Sequence, residues 1–523
     1  MIRFCQGFQN LQLTSEILAN KEGGGNYRTI DNYTQFWLYS NYMQKIKNYI
    51  NGQLIEPIDK LYIDNYNPAT GKVYSLIPDS DEKDVAMATE AALAAFPQWS
   101  NTSKEVRSRI LLKIAELIEQ NLERLAIAES IDNGKPVALA KMIDIPRAAS
   151  NFHFYATAIL HYASESHAME DTAINYTLRS PVGVAGCISP WNLPLYLFTW
   201  KIAPAIAAGN CVVAKPSEIT PMTAYLLSEL CMQAGLPKGV LNIVHGYGHK
   251  VGAAITAHPN IPLISFTGGT KTGAEIARIA APMFKKISLE LGGKNPNIVF
   301  SDCDFENAIK TTLHSSFANQ GQICLCGSRI FIEKSIYEKF KIRFIEKVKT
   351  LKVGNPADNS SNLGAVVSKE HMDKILSYIN LAKEEGGEIL IGGNQVNLEG
   401  EFALGYYIEP TIIEGLAYNC RTNQEEIFGP VVTLTPFETE EEVLKYANST
   451  QYGLSAIVWT ENLTRAHRIA GLLHAGIVWI NCWLVRDLRT PFGGMKNSGV
   501  GREGGFEAFN FFTEPKNVCI KLK

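Results

Sequence analysis

A cysteine at position 324, in Asn319-Gln320-Gly321-Gln322-Ile323-Cys324-Leu325, and a glutamate at 290, opening Glu290-Leu291-Gly292-Gly293-Lys294, could carry out acyl chemistry. A thiolate attacks carbonyl carbon, and a carboxylate can draw the proton from a water that hydrolyses the resulting thioester. A free cysteine titrates near about 8.5, so the site must stabilise the thiolate or supply a base. Taken alone, a cysteine is more often a small buried apolar group, and a glutamate at a strand end more often a surface carboxylate. The glycines and amides around Cys324, where backbone N–H groups can approach a bound carbonyl, turn the reading toward chemistry. Asn192, held between prolines in Pro190-Trp191-Asn192-Leu193-Pro194, can set its amide against a developing oxyanion, a donor worth about 3 to 4 kcal/mol. By spacing alone it serves equally well as a turn residue.

Other segments have the form of ligand-binding turns. Lys215-Pro216-Ser217-Glu218 follows the apolar strand Cys211 to Ala214, and α/β sheets bind ligands at the carboxyl ends of their strands. Phe266-Thr267-Gly268-Gly269-Thr270-Lys271-Thr272-Gly273 follows another such strand and opens a helix, whose N-terminus can receive a phosphate. There is no strict G-x-G-x-x-G; Gly246-Tyr247-Gly248 with Gly252 nearly imitates one and is read as a turn. Near the end of the chain, Asn481 to Thr490 holds Arg486 and Arg489 around Asp487, and Arg147 lies in Asp144-Ile145-Pro146-Arg147-Ala148. Guanidinium groups pair with carboxylates in bidentate fashion.

These residues need a scaffold of several layers. A chain of 523 residues exceeds what one hydrophobic core usually supports, so two or more domains are expected. Helical periodicity runs from Lys83 to Phe96 and from Lys104 to Glu119, where Ser103 caps a stripe of Ile110, Leu111, Ile114, Leu117 and Ile118. Asn133-Gly134-Lys135-Pro136 stops the next helix. Short apolar strands then alternate with helices: Val182 to Ile188, Cys211 to Ala214, Leu241 to Val244, Leu263 to Thr267, Ile298 to Phe300 and Ile330 to Ile332. That alternation predicts an α/β fold of two doubly wound units. Ala168 to Ser180 alternates polar and apolar residues without entering a helix and is read as an extended arm.

Composition excludes several classes. With 46% hydrophobic and 19% charged residues and a net charge of -3, the chain offers no basic field for nucleic acid. No apolar run is long enough to span a bilayer. The ten cysteines, among them Cys187, Cys211, Cys231, Cys303 and Cys482, follow neither disulfide nor metal spacings, and Cys324 with Cys326 forms C-x-C, so no metal is expected. A reducing, cytoplasmic setting follows. Residues 1–42 lack a signal peptide's apolar core and are read as a disordered extension or a misplaced start.

From about Met43 to the C-terminus the chain resembles the aldehyde dehydrogenase superfamily. The resemblance rests on the Asn192, Lys215, Gly268, Glu290 and Cys324 segments, on Glu425-Glu426-Ile427-Phe428-Gly429-Pro430, and on Pro491 to Gly499 as a block at the pocket mouth. It implies Cys324 as nucleophile, Glu290 as base for the hydrolytic water, and Asn192 with the Cys324 N–H as oxyanion hole. It implies NAD as cofactor, with Lys215 and Glu218 on the adenine ribose, Gly268, Gly269 and Gly273 at the pyrophosphate, Glu426 on the nicotinamide ribose, Phe428 against the ring, and Ile188 and Trp191 beside them. A carboxylate at Glu218 would repel the 2′-phosphate of NADP. Glu290 argues for a free acid product, since relatives that pass the acyl group to coenzyme A lack it. The domains implied are 43–164 with 182–292 for NAD and 293–506 for catalysis, while 165–181 with 507–523 form an arm that builds a sheet across a subunit boundary in a homodimer or homotetramer.

The block around Arg486 is similar to that of the subgroup acting on 2-aminomuconate and 2-hydroxymuconate semialdehydes. There an arginine at the Arg486 position holds the substrate's far carboxylate, with Arg147 as a second clamp and Leu193 and Trp200 lining the pocket. A surface Arg486 paired with Asp487 stands as the alternative at that position. A neutral aliphatic, aromatic or betaine-type aldehyde, and a non-catalytic protein on the same scaffold, are the alternatives for the whole.

Overall fold

The computed structural model describes residues 43–522; the extension read at 1–42 lies outside the described residues. An eight-stranded sheet has the order Gly499–Val500, Lys286–Glu290, Leu263–Thr267, Val184–Ile188, Cys211–Lys215, Leu241–Ile243, Asn48–Ile50, Gln53–Ile55. Its middle five strands are parallel. Val184–Ile188 is central; the chain winds outward from it to one side, then returns to build the other. This reversal of strand order opens a crevice at the carboxyl ends. Register aligns Ile188 with Lys215 and Phe266, and Thr267 with Glu290, so four neighbouring strands end at one rim. The helix Pro194–Ala207 is buried along its whole length, which explains why it is apolar on every face but for Thr199 and Lys201.

A seven-stranded sheet has the order Glu388–Ile391, Thr411–Glu414, Val431–Phe437, Arg329–Glu333, Pro296–Val299, Ser455–Trp459, Ile477–Ile480, parallel but for the first strand. Leu291 to Asn295 carries the chain from the carboxyl end of one sheet to the amino end of the other. Cys324 lies just before the strand Arg329–Glu333. Base and nucleophile therefore come from opposite ends of two different sheets.

Both sequence-predicted doubly wound sheets are present, with ends shifted by a few residues, as for Val184–Ile188 and Pro296–Val299. The helices run Glu82–Ser100 and Lys104–Gln120, the second capped by Ser103, and Gly134 ends Leu122–Asn133 at φ 85°. The antiparallel strands Asn48–Ile50 and Gln53–Ile55 and the pair Tyr62–Asn67 and Lys72–Pro78 are additions to the reading.

The arm pairs with the C-terminal strand as expected and departs from expectation in one respect. The stretch read as continuous is a hairpin, Ser166–Met169 and Ala173–Pro181, turned at Glu170 with φ 45°. The C-terminal strand Thr513–Lys521 pairs with Ala173–Pro181 inside the same chain, from Thr513 opposite Pro181 to Lys521 opposite Ala173. The C-terminal helix Gly505–Phe512 delivers the strand directly to its partner. Met169, Ile174, Leu178 and Ile520 of this sheet are exposed. Among the described residues no helix is long and apolar enough to cross a membrane.

Candidate active site

The helix Phe305–Phe317 ends in three successive left-handed residues, Asn319 (φ 52°), Gln320 (φ 56°) and Gly321 (φ 70°), which turn the chain toward Cys324. A Cβ on Gly321 would lie 2.1 Å from the Gly429 carbonyl oxygen, so this position admits glycine alone. The neighbouring amides act as braces. Asn319 donates to the Asn192 carbonyl (2.9 Å), Gln320 to that of Ala365 (2.8 Å), and Gln322 Oε1 accepts from Val367 N (3.0 Å). Asn295 Nδ2 holds the carbonyls of Cys324 (2.7 Å) and Cys326 (2.9 Å), and Trp483 Nε1 donates to that of Leu325 (3.0 Å). The Cys324 thiol is pushed up by burial first, then by Glu426 and Glu290, so it is protonated at neutral pH.

Cys324, Glu290, Leu193, Trp200, Arg486 and Phe492 line one pocket. Glu290 is buried, and neither carboxylate oxygen has a hydrogen-bond partner. Burial and the nearby Glu503 carboxylate raise its pKa well above the carboxylate range, against the pull of Lys201, Arg486 and Arg502. Once ionised, such a carboxyl is a stronger base than an ordinary carboxylate and can take a proton from water. Asn192 lies beside the nucleophile loop, its Nδ2 donating to the Gln322 carbonyl at 3.0 Å. An amide nitrogen carries two hydrogens, so one donor remains.

At the far end of the pocket Arg486 is packed between aromatic rings, its guanidinium carbon 4.4 Å from the Trp200 centroid and 3.9 Å from that of Phe492. Nη1 donates to the Tyr196 hydroxyl at 2.6 Å, and Nη2 is buried without an acceptor. Asp487 is taken by Arg489, at 2.6 Å, which removes the surface pairing as an account of Arg486. Arg147 is half-buried, 5.8 Å from the Tyr196 ring, and does not line the pocket. The two arginines thus share a tyrosine and only one faces the cavity.

On the cofactor side, Lys215 is buried and its Nζ donates to Glu218 at 2.7 Å. Burial works against the charge of Glu218, but Lys215 and the Gly248 N–H (3.0 Å) outweigh it and hold the carboxyl low. Gly248, read as a plain turn residue, thus supports Glu218. Gly269 caps the helix Thr270–Ala280 with nothing within 4 Å of where a Cβ would stand, whereas Gly268 and Gly273 are close against Phe266 and Leu291. The buried hydroxyls of Ser189 and Thr267, at the ends of the strands carrying Ile188 and Phe266, have no partner. An open helix N-terminus, orphaned hydroxyls and a lysine–carboxylate pair on one rim fit a dinucleotide. Glu426 accepts from Gly293 N at 2.9 Å, tying the two sheets together. Phe428 (φ 63°) packs edge-on to Trp191 at 5.3 Å, and its carbonyl is held by His371 Nε2 at 2.7 Å.

The sequence reading passed over Lys201 and Glu503. They form a buried ion pair at 2.8 Å, bridged by the Ser265 hydroxyl, next to Glu290. A lone lysine inside the apolar run Leu195 to Ile202 was the available signal, because a buried ammonium requires a buried partner. Tyr196 and Asn295, which hold Arg486 and the nucleophile loop, had none.

The family model described as "Aldehyde dehydrogenase family" matches residues 55–518. A Danio rerio protein named 2-aminomuconic semialdehyde dehydrogenase is 52% identical over 479 residues, 91% of this chain and 98% of the relative. A Pseudomonas sp. (strain CF600) protein named 2-hydroxymuconic semialdehyde dehydrogenase is 46% identical over 486 residues, 92% of this chain and 100% of the relative. Among solved structures, an NAD+ complex of an aldehyde dehydrogenase from Bacillus cereus superposes with a TM-score of 0.90 at 38% identity, covering 94% of this chain and 99% of that one.

Proposed function

The chain belongs to the aldehyde dehydrogenase family, and on that premise we propose that it oxidises a semialdehyde bearing a distal carboxylate to the dicarboxylic acid, with NAD as acceptor. The observation that carries the substrate class is Arg486, a guanidinium in the pocket of Cys324 with a buried donor and no acceptor. A carboxylate is the group that pairs with such a donor in kind and charge. The names of the relatives support the same class, and 2-aminomuconate or 2-hydroxymuconate semialdehyde fits it.

In this reading Cys324 Sγ bonds to the aldehyde carbon and its proton passes to solvent water, while the Asn192 amide and the Cys324 N–H hold the oxygen as its charge develops. NAD, when bound, accepts the hydride from that carbon. The dinucleotide would lie along the rim of the eight-stranded sheet, with Lys215 and Glu218 at the adenine ribose, Gly269 at the pyrophosphate and Glu426 and Phe428 at the nicotinamide end. Glu290 then takes a proton from the water that attacks the thioester, and the acid leaves with Cys324 restored. We further infer self-association through the exposed arm sheet, whose apolar side chains and open edge call for cover. All described cysteines are free thiols, which suits the cytoplasm.

NADH formation with purified protein, comparing both muconic semialdehydes with neutral aldehydes of similar length, tests the reading. A clear preference for the acidic substrates is expected; equal or better turnover of the neutral ones would reduce it to an aldehyde dehydrogenase of other specificity.

A further inference from the structure

The loop that carries Asn192 is held from behind by a buried charge cluster. Lys135, Glu129 and Asp144 all have side chains that are 0% exposed. Lys135 Nζ lies 2.7 Å from Asp144 Oδ1 and 3.8 Å from Glu129 Oε1, and it donates to the Asn192 carbonyl at 3.2 Å. Neighbouring residues grip the same segment. Asn133 Nδ2 donates to the Trp191 carbonyl at 2.9 Å, and the Glu129 carboxylate accepts from Leu195 N at 3.3 Å, where the next helix begins. Gly134, left-handed and pressed against the Ala365 carbonyl, and Ser130, whose hydroxyl donates to the Lys135 carbonyl at 2.6 Å, fix the turn that presents these groups.

A lysine is removed from water at high cost, and a surface turn between two helices needs none. Here its third contact is the carbonyl of Asn192, whose own amide donates to the Gln322 carbonyl of the nucleophile loop. Stripping Lys135 would leave the buried Glu129 and Asp144 carboxyls without their cation and the Asn192 carbonyl held only by the amides of Asn319 (2.9 Å) and Asn133 (3.4 Å). We propose that Lys135 is a positioning residue of the reaction, fixing the Asn192 backbone so that the side-chain amide stands where the oxyanion forms; this rests on the oxyanion role of Asn192 set out above. Asp144 and Glu129 hold the ammonium in place. Burial raises both of their carboxyls, Glu129 to about 8. The cluster then retains a proton near neutral pH and avoids the repulsion of two bare charges.

The test is a double-mutant cycle on the first turnover. Lys135→Met and Asn192→Ala, singly and together, are compared by the rate of the NADH burst, with melting and NAD affinity measured on each. Loss of one oxyanion donor typically slows reaction by about 10²- to 10³-fold. Asn192→Ala should fall in that range, and Lys135→Met should slow the burst by about tenfold or more, yet cost little further in the Asn192→Ala background. An equal loss in both backgrounds, or an unchanged burst in Lys135→Met, overturns the proposal and leaves Lys135 a packing residue. If Lys135→Met does not fold, Asp144→Asn, which loosens the ammonium but keeps the lysine, is put through the same cycle with the same criterion. An Asn192→Ala enzyme with a normal burst would instead remove the oxyanion reading itself, a result distinct from failure of the cycle.

Discussion

Arg486 donates from Nη1 to the Tyr196 hydroxyl at 2.6 Å, while its second amino group points into buried space without an acceptor. The hydroxyl fixes the guanidinium and the rings of Trp200 and Phe492 dry its surroundings, so a carboxylate arriving there meets a pre-oriented, poorly hydrated cation. Arg486→Ala should therefore weaken use of a carboxylate-bearing semialdehyde by about 2 to 5 kcal/mol and spare a neutral aldehyde of similar length. Arg147→Ala, acting across the Tyr196 ring, should show the same selectivity with a smaller loss. The double variant should fall short of the sum, because both arginines act through one tyrosine. Matched losses on charged and neutral substrates would make Arg486 a pocket wall.

Separation of the two half-reactions follows from the division of labour between the sheets. Glu290→Ala removes the base but leaves the Cys324 loop and its braces intact. Stopped-flow traces should show a burst of NADH followed by slow turnover, and mass spectrometry an acyl adduct on Cys324. Disappearance of both burst and adduct would assign Glu290 to the first step.

The pH dependence of hydrolysis has a defined sign. Glu290 acts as a base only when ionised, and burial followed by the Glu503 charge raises its pKa. The rate should climb with pH through a limb above the usual carboxylate range. Glu503→Gln removes the like charge and leaves Lys201 facing Glu290; both changes favour the ionised form, so the limb should move to lower pH. A kcat profile taken where hydrolysis limits turnover checks this, and a limb that stays put or moves upward excludes coupling between the two carboxyls.

Much of this site was legible because its chemistry is local in sequence. Cys324, Glu290, Lys215 and Gly269 each sit at the end of an element whose apolar run and terminating glycines are visible without a structure, and the paired doubly wound sheets follow from the same alternation. The supports were not legible, because they depend on contacts between distant segments. Tyr196 orients Arg486 across 290 positions, and Lys201 meets Glu503 across 302. The turn in the arm is hidden for a related reason: alternation shows that Ala168 to Ser180 is extended, but not that Glu170 turns it, whereas its partner, the C-terminal strand, is the one the resemblance implies. The side-chain amides of Asn319, Gln320 and Gln322 brace the left-handed turn through the Asn192 and Ala365 carbonyls and the Val367 N–H, contacts that lie far off in the chain.

Cofactor choice is testable at Glu218, which is held ionised by Lys215 and the Gly248 N–H. NAD should be preferred to NADP, and Glu218→Gln should narrow the gap by removing the charge that repels a 2′-phosphate. Initial rates with each dinucleotide decide the matter; a wild-type enzyme faster with NADP would contradict the assignment.

Two glycines should respond in opposite ways to the same added methyl group. Gly321 is left-handed at φ 70°, and its Cβ would stand 2.1 Å from a backbone oxygen that cannot move aside as a side-chain tip can. Gly321→Ala should lose about 1 to 3 kcal/mol of stability from backbone strain. It should also lose the NADH burst, because the turn it distorts is three residues from Cys324. Gly269 has an ordinary φ of -69° and open space beyond its Cα, so Gly269→Ala should melt as the wild type does. Its methyl group would instead occupy the mouth of the helix N-terminus proposed to receive the pyrophosphate, and NAD affinity measured by fluorescence titration should fall while thiol alkylation at Cys324 proceeds normally. Unchanged NAD affinity in Gly269→Ala would move the pyrophosphate site away from this helix, whatever the fate of Gly321→Ala.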